Sequence, residues 1–148
     1  MKVGDIAPDF VLQAHNDTQV RLSDFRGEKN VVVFFYPKDD TPGWTMQVCG
    51  FRDRYTAFQD SDTEIFGVSA DAKDSHQAFA QKHALPYRLL MDQNKTLRSL
   101  WRVPKSMFVL DGRVSYVIDK QGVCRFIYNS SAQPTAHIQE CLRAIQKL

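Results

Sequence analysis

The chain has 148 residues, which suits one domain with a single hydrophobic core that needs no disulfide or metal to hold it together. With 43% hydrophobic residues, interspersed charges and a net charge of +2, it is not a disordered chain, and nothing in its charge favours binding to nucleic acid or an anionic membrane. No apolar run approaches the roughly 18 residues that a membrane span needs, and the start MKVGDIAPDF resembles neither a signal nor a transit peptide.

The three cysteines, Cys49, Cys124 and Cys141, are odd in number and irregular in spacing. They form no C-x-x-C pair and no disulfide framework of the secreted type, which indicates a reducing compartment. We therefore expect a cytoplasmic protein, or the mature form of an organellar one. Cys124 and Cys141 are interpreted as packing residues because nothing near them in the sequence suggests a role.

The first elements predicted along the chain are a hairpin and a buried strand. Residues 10–14 and 18–22 flank the turn-forming HND at 15–17, which predicts a short β-hairpin. The run NVVVFFY at 30–36 is β-branched and aromatic throughout, as is typical of a central strand buried on both faces of an α/β sheet.

A helix is predicted directly after this strand. Thr41 is suited to cap it and Pro42 to occupy its first position. Its apolar residues follow spacings of four and three, which predicts one buried stripe. The stripe consists of Trp44, Val48, Phe51, Tyr55 and Phe58.

The second half of the chain continues to alternate strands and helices. The predicted order is a strand at 64–70, a helix at 74–84, a short strand and a short helix before Pro104, a hairpin at 114–129 and a C-terminal helix. A β-α-β unit followed by a β-β-α unit is the order of the thioredoxin fold. We expect a single α/β domain over 1–148, with the N-terminal hairpin and the segment 85–113 as additions to that fold.

The region of expected chemistry lies beyond the carboxyl end of the strand at 30–36. In open α/β sheets, ligands bind there, facing the amides of a helix N-terminus. A thiol in the first turn of such a helix would have a lowered pKa because of the helix dipole and the free amides. The residue found there is Trp44.

The stretch YPKDDTPGWTMQVCGFRD at 36–53 resembles the active-site segment of the peroxiredoxins, most closely that of the peroxiredoxin Q subgroup. Pro37 and Thr41 match the family pattern Pro-x-x-x-Thr-x-x-Cys. The resemblance aligns position 44 with the peroxidatic cysteine and Cys49 with the resolving cysteine. It extends to VGDIAPDF, to GVSAD with the following Ser-His, and to GRVSYVIDKQGV, which aligns Arg113 with the family's active-site arginine.

This resemblance implies a peroxidase that reduces hydroperoxides through a cysteine sulfenic acid, resolves it as an internal disulfide and is recycled by thioredoxin. It implies no cofactor and no metal, and we expect a monomer. Trp44 stands where the family has the reacting cysteine. Because an indole is not an ionisable nucleophile at neutral pH, we expect this chain to lack the main reaction.

Helix geometry bears on the same position. Residues five apart are separated by about 7.5 Å along an intact helix, beyond the ~7 Å limit between the Cα atoms of a disulfide. A bridge between positions 44 and 49 would therefore require the helix start to unwind. We consider two placements for Trp44: its ring fills or covers the former thiol pocket, or it pushes the first turn outward.

Three hypotheses follow for the protein as a whole. The favoured one is a peroxiredoxin Q in which position 44 has been altered, since one base change converts a Cys codon to the Trp codon while Pro37, Thr41, Cys49 and Arg113 all remain. The second is a natural pseudo-enzyme that binds partners through its surface. The third is a redox sensor that works through Cys49 alone, although an inert helix cysteine is the simpler interpretation of that residue.

Overall fold

The computed structural model describes residues 1–37, 39, 42–106, 110–111, 113–130, 133 and 135–148, and for 42–44, 105–106 and 110–111 the backbone alone. The strands are β1 Val11–Gln13, β2 Gln19–Arg21, β3 Asn30–Phe35, β4 Thr63–Ser69, β5 Arg88–Met91, β6 Lys105–Ser106, β7 Leu110–Asp111, β8 Val114–Ile118 and β9 Cys124–Asn129. The helices are α1 Pro42–Asp53, α2 Tyr55–Asp60, α3 Lys73–Lys82, α4 Thr96–Leu100 and α5 Ala136–Gln146, with a 3-10 helix at Leu22–Phe25.

A five-stranded mixed sheet with the order β5-β4-β3-β8-β9 forms the centre of the molecule. Strands β3, β4 and β5 are parallel, while β8 runs antiparallel to both β3 and β9. The predicted N-terminal hairpin is confirmed as the antiparallel pair β1 and β2. The thioredoxin-like order of strands and helices is also confirmed, with β5 added at the edge of the sheet and the pair β6 and β7 outside it.

Strand β3 is the central strand that its composition predicts, because all six of its residues are buried. Its alternate side chains feed two hydrophobic clusters, one on each face of the sheet. Val31, Val33 and Phe35 pack into the first, which also holds the buried Trp101. Val32 and Phe34 pack into the second, which takes buried side chains from α1, α2, α3 and α5.

The predicted stripe on the helix after β3 is interrupted, which corrects the expectation of one continuous helix. Helix α1 ends at Asp53 and α2 begins at Tyr55, because Arg54 leaves the helical region with φ −108° and ψ 9°. The amide of Arg54 is shared between the carbonyls of Gly50 and Phe51, each at 3.3 Å, so the chain bends without losing its hydrogen bond. Phe51 and Phe58 are buried as predicted, whereas Tyr55 is only partly buried.

The register of β3 and β8 brings two distant parts of the sequence to one edge of the sheet. Val114 pairs with Phe35, so the residue before β8 lies beside the residues that follow β3. Arg113 and Pro37 therefore belong to the same end of the molecule. Among the described residues, no helix is both long enough and apolar enough to cross a membrane.

Gly67 in β4 lies in a closely packed part of this sheet. A Cβ at this position would lie 2.8 Å from Cζ of Phe34 and 2.9 Å from Cδ2 of Leu89, the residues paired with it on the neighbouring strands. We expect Gly67→Ala to lower the free energy of unfolding by about 1–3 kcal/mol, because the core has no room for a methyl group. Urea unfolding followed by circular dichroism measures this loss.

The matched control combines Gly67→Ala with Leu89→Ala, which removes one of the two colliding side chains. Gly67→Ala should lower the free energy of unfolding by less in the Leu89→Ala background, so the effects of the two substitutions should not be additive. Equal losses in both backgrounds would contradict the packing described for Gly67.

Candidate active site

The loop that joins β3 to α1 lies at the carboxyl ends of the parallel strands. Pro37 begins it as a half-buried bend, and Asp39 is buried within it. The backbone is helical from Pro42, so this proline occupies the first helical position as predicted. Thr41, the predicted cap, lies outside the described residues. The loop therefore delivers the chain from the central strand directly into a helix N-terminus.

Asp39 is held by three side chains that converge on its carboxylate. The Tyr36 hydroxyl donates to Oδ1 at 2.9 Å, and the Ser75 hydroxyl donates to Oδ2 at 2.8 Å. His76 Nδ1 also lies 2.8 Å from Oδ2. Burial, followed by the charge of Asp39, raises the pKa of Tyr36 well above its usual range, so its hydroxyl remains a donor. The loop is thus tied to α3 by two hydrogen bonds, of which that of His76 is buried.

The hydrogen bonds of His76 fix the number of protons that it shares with Asp39. Nε2 lies 3.1 Å from the carbonyl oxygen of Leu90, which can only accept, so Nε2 carries a proton. Nδ1 and the carboxylate Oδ2, 2.8 Å apart, must share a second proton. With either placement of that proton the pair is neutral as a unit, which allows its burial at the end of β3.

A second carboxylate holds the backbone of the same loop. Asp71 Oδ2 accepts from the amide of Asp39 and from the hydroxyl of Ser69, both at 2.8 Å. One ligand-type atom from each of Asp39, Asp71 and His76 lies within 4.8 Å of the others. Each of these residues is engaged in the hydrogen bonds described, so the cluster is an internal bracing of the loop.

Removing His76 should expose how much the loop depends on this network. We expect His76→Phe to destabilise the fold by about 3–5 kcal/mol, because it leaves the Asp39 carboxylate buried without its proton-sharing partner. Thermal and urea unfolding of the variant measure the loss. The double variant Asp39→Leu with His76→Phe should be less unstable than the sum of the two single changes, and strict additivity would contradict the pairing.

Position 44 and Cys49 lie on the same uninterrupted helix, α1. The backbone is helical at 42–44, so the first turn is not unwound, which argues against the second of the two placements considered for Trp44. The indole itself lies outside what the structure describes.

Cys49 is free and partly buried, and its Sγ lies 3.6 Å from Nδ1 of His83. No local pattern in the sequence points to His83, which is 34 residues away along the chain.

Arg113 is half-buried, and burial lowers the pKa of its guanidinium. Its carbonyl accepts from the amide of Ser130 at 3.3 Å. His137 Nε2 donates to the carbonyl of Ser130 at 2.7 Å, and its Nδ1 accepts from the Ser115 hydroxyl at 2.8 Å. The neutral imidazole of His137, on α5, thus links Ser115 in β8 to Ser130. The amide of Ser130 in turn donates to the carbonyl of Arg113.

The neutral state of His137 predicts a loss of stability in mild acid. Burial is the main cause of its lowered pKa, and the nearby charge of Arg113 acts in the same direction. Below about pH 6.5 the unfolded chain takes up a proton at this residue before the folded chain does, so the free energy of unfolding falls. Urea unfolding at about pH 7.5 and about pH 5.5 measures the drop.

His137→Gln is the matched variant, because a glutamine can donate and accept but does not titrate. It should show a smaller drop between the two pH values, with a remainder from His15, whose pKa is also lowered by burial. A drop as large as that of the parent chain would contradict this role of His137.

The remaining residues of the motif take up different positions. Gln47, for which the sequence suggested no role, is fully buried, and its amide atoms have no hydrogen-bond partner among the described residues. Arg52 joins α1 to the end of α3 by donating to the carbonyl of His83 at 2.8 Å. Cys124 and Cys141 are buried as predicted, and burial raises the pKa of their thiols to about 11 and about 12.

Comparison with known proteins agrees with this geometry. The profile of the AhpC/TSA family matches residues 3–127. Peroxiredoxin Q, chloroplastic, from Suaeda salsa is 47% identical over 146 residues, which cover 98% of this chain and 68% of that protein. The crystal structure of peroxidoxin BcpB from Mycobacterium tuberculosis has a TM-score of 0.91 and 30% identity, covering 100% of this chain and 98% of that one.

A cysteine-to-serine mutant of PrxQ from Xylella fastidiosa has a TM-score of 0.89 and 25% identity, covering 99% of this chain and 96% of that one. The fold and the loop at the end of β3 thus define a peroxiredoxin of the thioredoxin-like class, a family of thiol peroxidases. The chain belongs to the AhpC/TSA family, and its similarity over nearly its whole length to peroxiredoxin Q proteins confirms the subgroup that the motif indicated.

Proposed function

We propose that this chain has the framework of a thioredoxin-dependent peroxiredoxin Q and that Trp44 prevents it from carrying out the peroxidase reaction. The observation that carries the proposal is the placement of position 44 in the first turn of α1, directly beyond the carboxyl end of the central strand. A cysteine there would meet free amides and the positive end of the helix dipole, which favour a thiolate.

The surrounding residues are assigned roles by their position in this framework and by the family resemblance. Pro37 and the braced loop set the entry into α1, and Thr41 would orient the thiolate and the peroxide. Arg113, at the same sheet edge, would hold the peroxide oxygens. Cys49, five residues beyond position 44 on α1, would resolve the sulfenic acid after the helix start unwinds.

The partners proposed are a hydroperoxide and thioredoxin or a similar thiol reductant, with the protein acting as a monomer. A cytoplasmic protein and a mature organellar protein were both expected from the cysteine content. The similar protein from Suaeda salsa is named chloroplastic, which favours the organellar location for this chain. Both locations are compatible with three free thiols.

Restoring the thiol is the direct test of the proposed function. We expect Trp44→Cys to consume hydrogen peroxide with thioredoxin as reductant at a rate orders of magnitude above the parent chain, because only the variant has a nucleophile in the first turn of α1. Steady-state oxidation of the reductant measures the rate.

Trp44→Ser is the matched control, since it removes the indole without supplying a thiol and should remain inactive. If the parent chain already consumes peroxide as fast as Trp44→Cys, the proposal that Trp44 prevents the reaction is wrong. If Trp44→Cys folds normally and stays inactive, the peroxidase framework is wrong and the pseudo-enzyme hypothesis replaces it.

A further inference from the structure

Cys49 has a basic neighbour that its own helix does not supply. Its Sγ lies 3.6 Å from Nδ1 of His83, the residue that directly follows α3. This distance is within the range of a hydrogen bond to sulfur, and the thiol is only partly buried. The two residues therefore form a thiol–imidazole pair between α1 and α3.

The backbone of His83 is held by Arg52, and its imidazole packs against Phe79. The Arg52 guanidinium donates to the carbonyl of His83 at 2.8 Å, and Arg52 is itself fixed by a 3.0 Å contact with Asp53. The ring of Phe79 lies 4.6 Å from the imidazole centroid. Within the described part of the chain, Sγ of Cys49 is the only hydrogen-bond partner of Nδ1, so no competing group occupies the nitrogen that faces the thiol.

The thiol needs this base in order to react. Burial raises the pKa of Cys49, the charge of Arg52 counteracts the rise, and Asp53 adds to it. The sulfur is therefore protonated at neutral pH, and attack on an electrophile requires a group that takes the proton. A positioned histidine commonly performs this task for cysteine nucleophiles.

We propose that Cys49 and His83 form a base-assisted thiol site that reacts with hydroperoxides independently of position 44. The sulfur attacks the terminal peroxide oxygen, the S–O bond forms as the O–O bond breaks, and the sulfur is oxidised by two electrons to a sulfenic acid. The thiol proton passes to Nδ1 of His83 and then to the departing alkoxide, which leaves as an alcohol, or as water from hydrogen peroxide. This site differs from the proposed peroxidase site because Cys49 here is the first nucleophile.

The fate of the sulfenic acid follows from the other two thiols. Cys124 and Cys141 are both completely buried. Neither can reach Cys49 without loss of the core that encloses it, so a thiol from outside the chain completes the reaction, and we assign this step to a low-molecular-weight thiol. Its sulfur attacks the sulfenic sulfur, water leaves, and a mixed disulfide remains on Cys49. The product is a reversible modification of the thiol, as a redox sensor requires.

The experiment uses the chain with Trp44 in place, so that its outcome is independent of the test on Trp44→Cys. The folded protein is treated with hydrogen peroxide and dimedone, and the rate of dimedone addition at Cys49 is followed by mass spectrometry. The matched variants are Cys49→Ser, which should show no adduct at this position, and His83→Ala, which should react at least about tenfold more slowly. Circular dichroism and thermal unfolding confirm that His83→Ala is folded.

Rescue by added imidazole distinguishes a role of His83 as a base from a purely structural role. The His83→Ala change leaves space beside Sγ, so free imidazole should restore the rate in proportion to its concentration. The same imidazole should leave the parent chain unchanged. Equal rates for the parent and His83→Ala, a parent rate no higher than that of free cysteine, or a slow His83→Ala variant that imidazole does not rescue would each overturn the proposal.

Discussion

The buried carboxylate of Asp39 is the interaction on which the geometry of this protein's site depends. It lies in the loop between the central strand and α1, where it ties that loop to α3 through Ser75 and His76. An isolated charge at this depth would be strongly unfavourable, so the shared proton and the Tyr36 and Ser75 donors are what make the loop conformation stable. Helix α1 begins at Pro42, three residues beyond this anchored position.

The helix start and the sheet edge that would position a thiol at 44 are both present, whereas the thiol itself is absent. The helix begins at Pro42 at the end of the central strand, and β8 brings Arg113 to the same edge. These features lower the stability of the fold relative to apolar packing, because burying polar and charged groups costs free energy. They fit a site built to stabilise a thiolate, and Trp44 removes the group that would carry that charge.

The protein nevertheless keeps a thiol that has chemical support of its own. Cys49 would be the second cysteine in the peroxidase reaction, but its pairing with His83 depends on the packing of α1 against the end of α3 and not on position 44. Two sites with different first nucleophiles can therefore share one helix. In a chain without a thiol at 44, the proposed pair of Cys49 and His83 would supply a route to peroxide chemistry.

Much of the fold could be predicted from local patterns. The apolar run of β3 and the turn between β1 and β2 are each determined by a few neighbouring residues. The contacts of Asp39 with His76 and of Cys49 with His83 join residues 37 and 34 positions apart, so no local pattern reveals them. The break at Arg54 cannot be predicted from the sequence, because the apolar spacing continues through it. The backbone bends there while the amide of Arg54 keeps a hydrogen bond that two carbonyls share.

The pKa of a cysteine placed at position 44 shows whether the first turn of α1 stabilises a thiolate. In the variant Trp44→Cys, with Cys49 changed to Ser to leave one accessible thiol, the thiolate absorbance is followed as a function of pH. We expect a pKa well below the ordinary thiol value of about 8.5, because the first turn of α1 and its anchored loop favour the anion. A pKa at or above that value would contradict the claim that this end of the sheet is built to stabilise a thiolate.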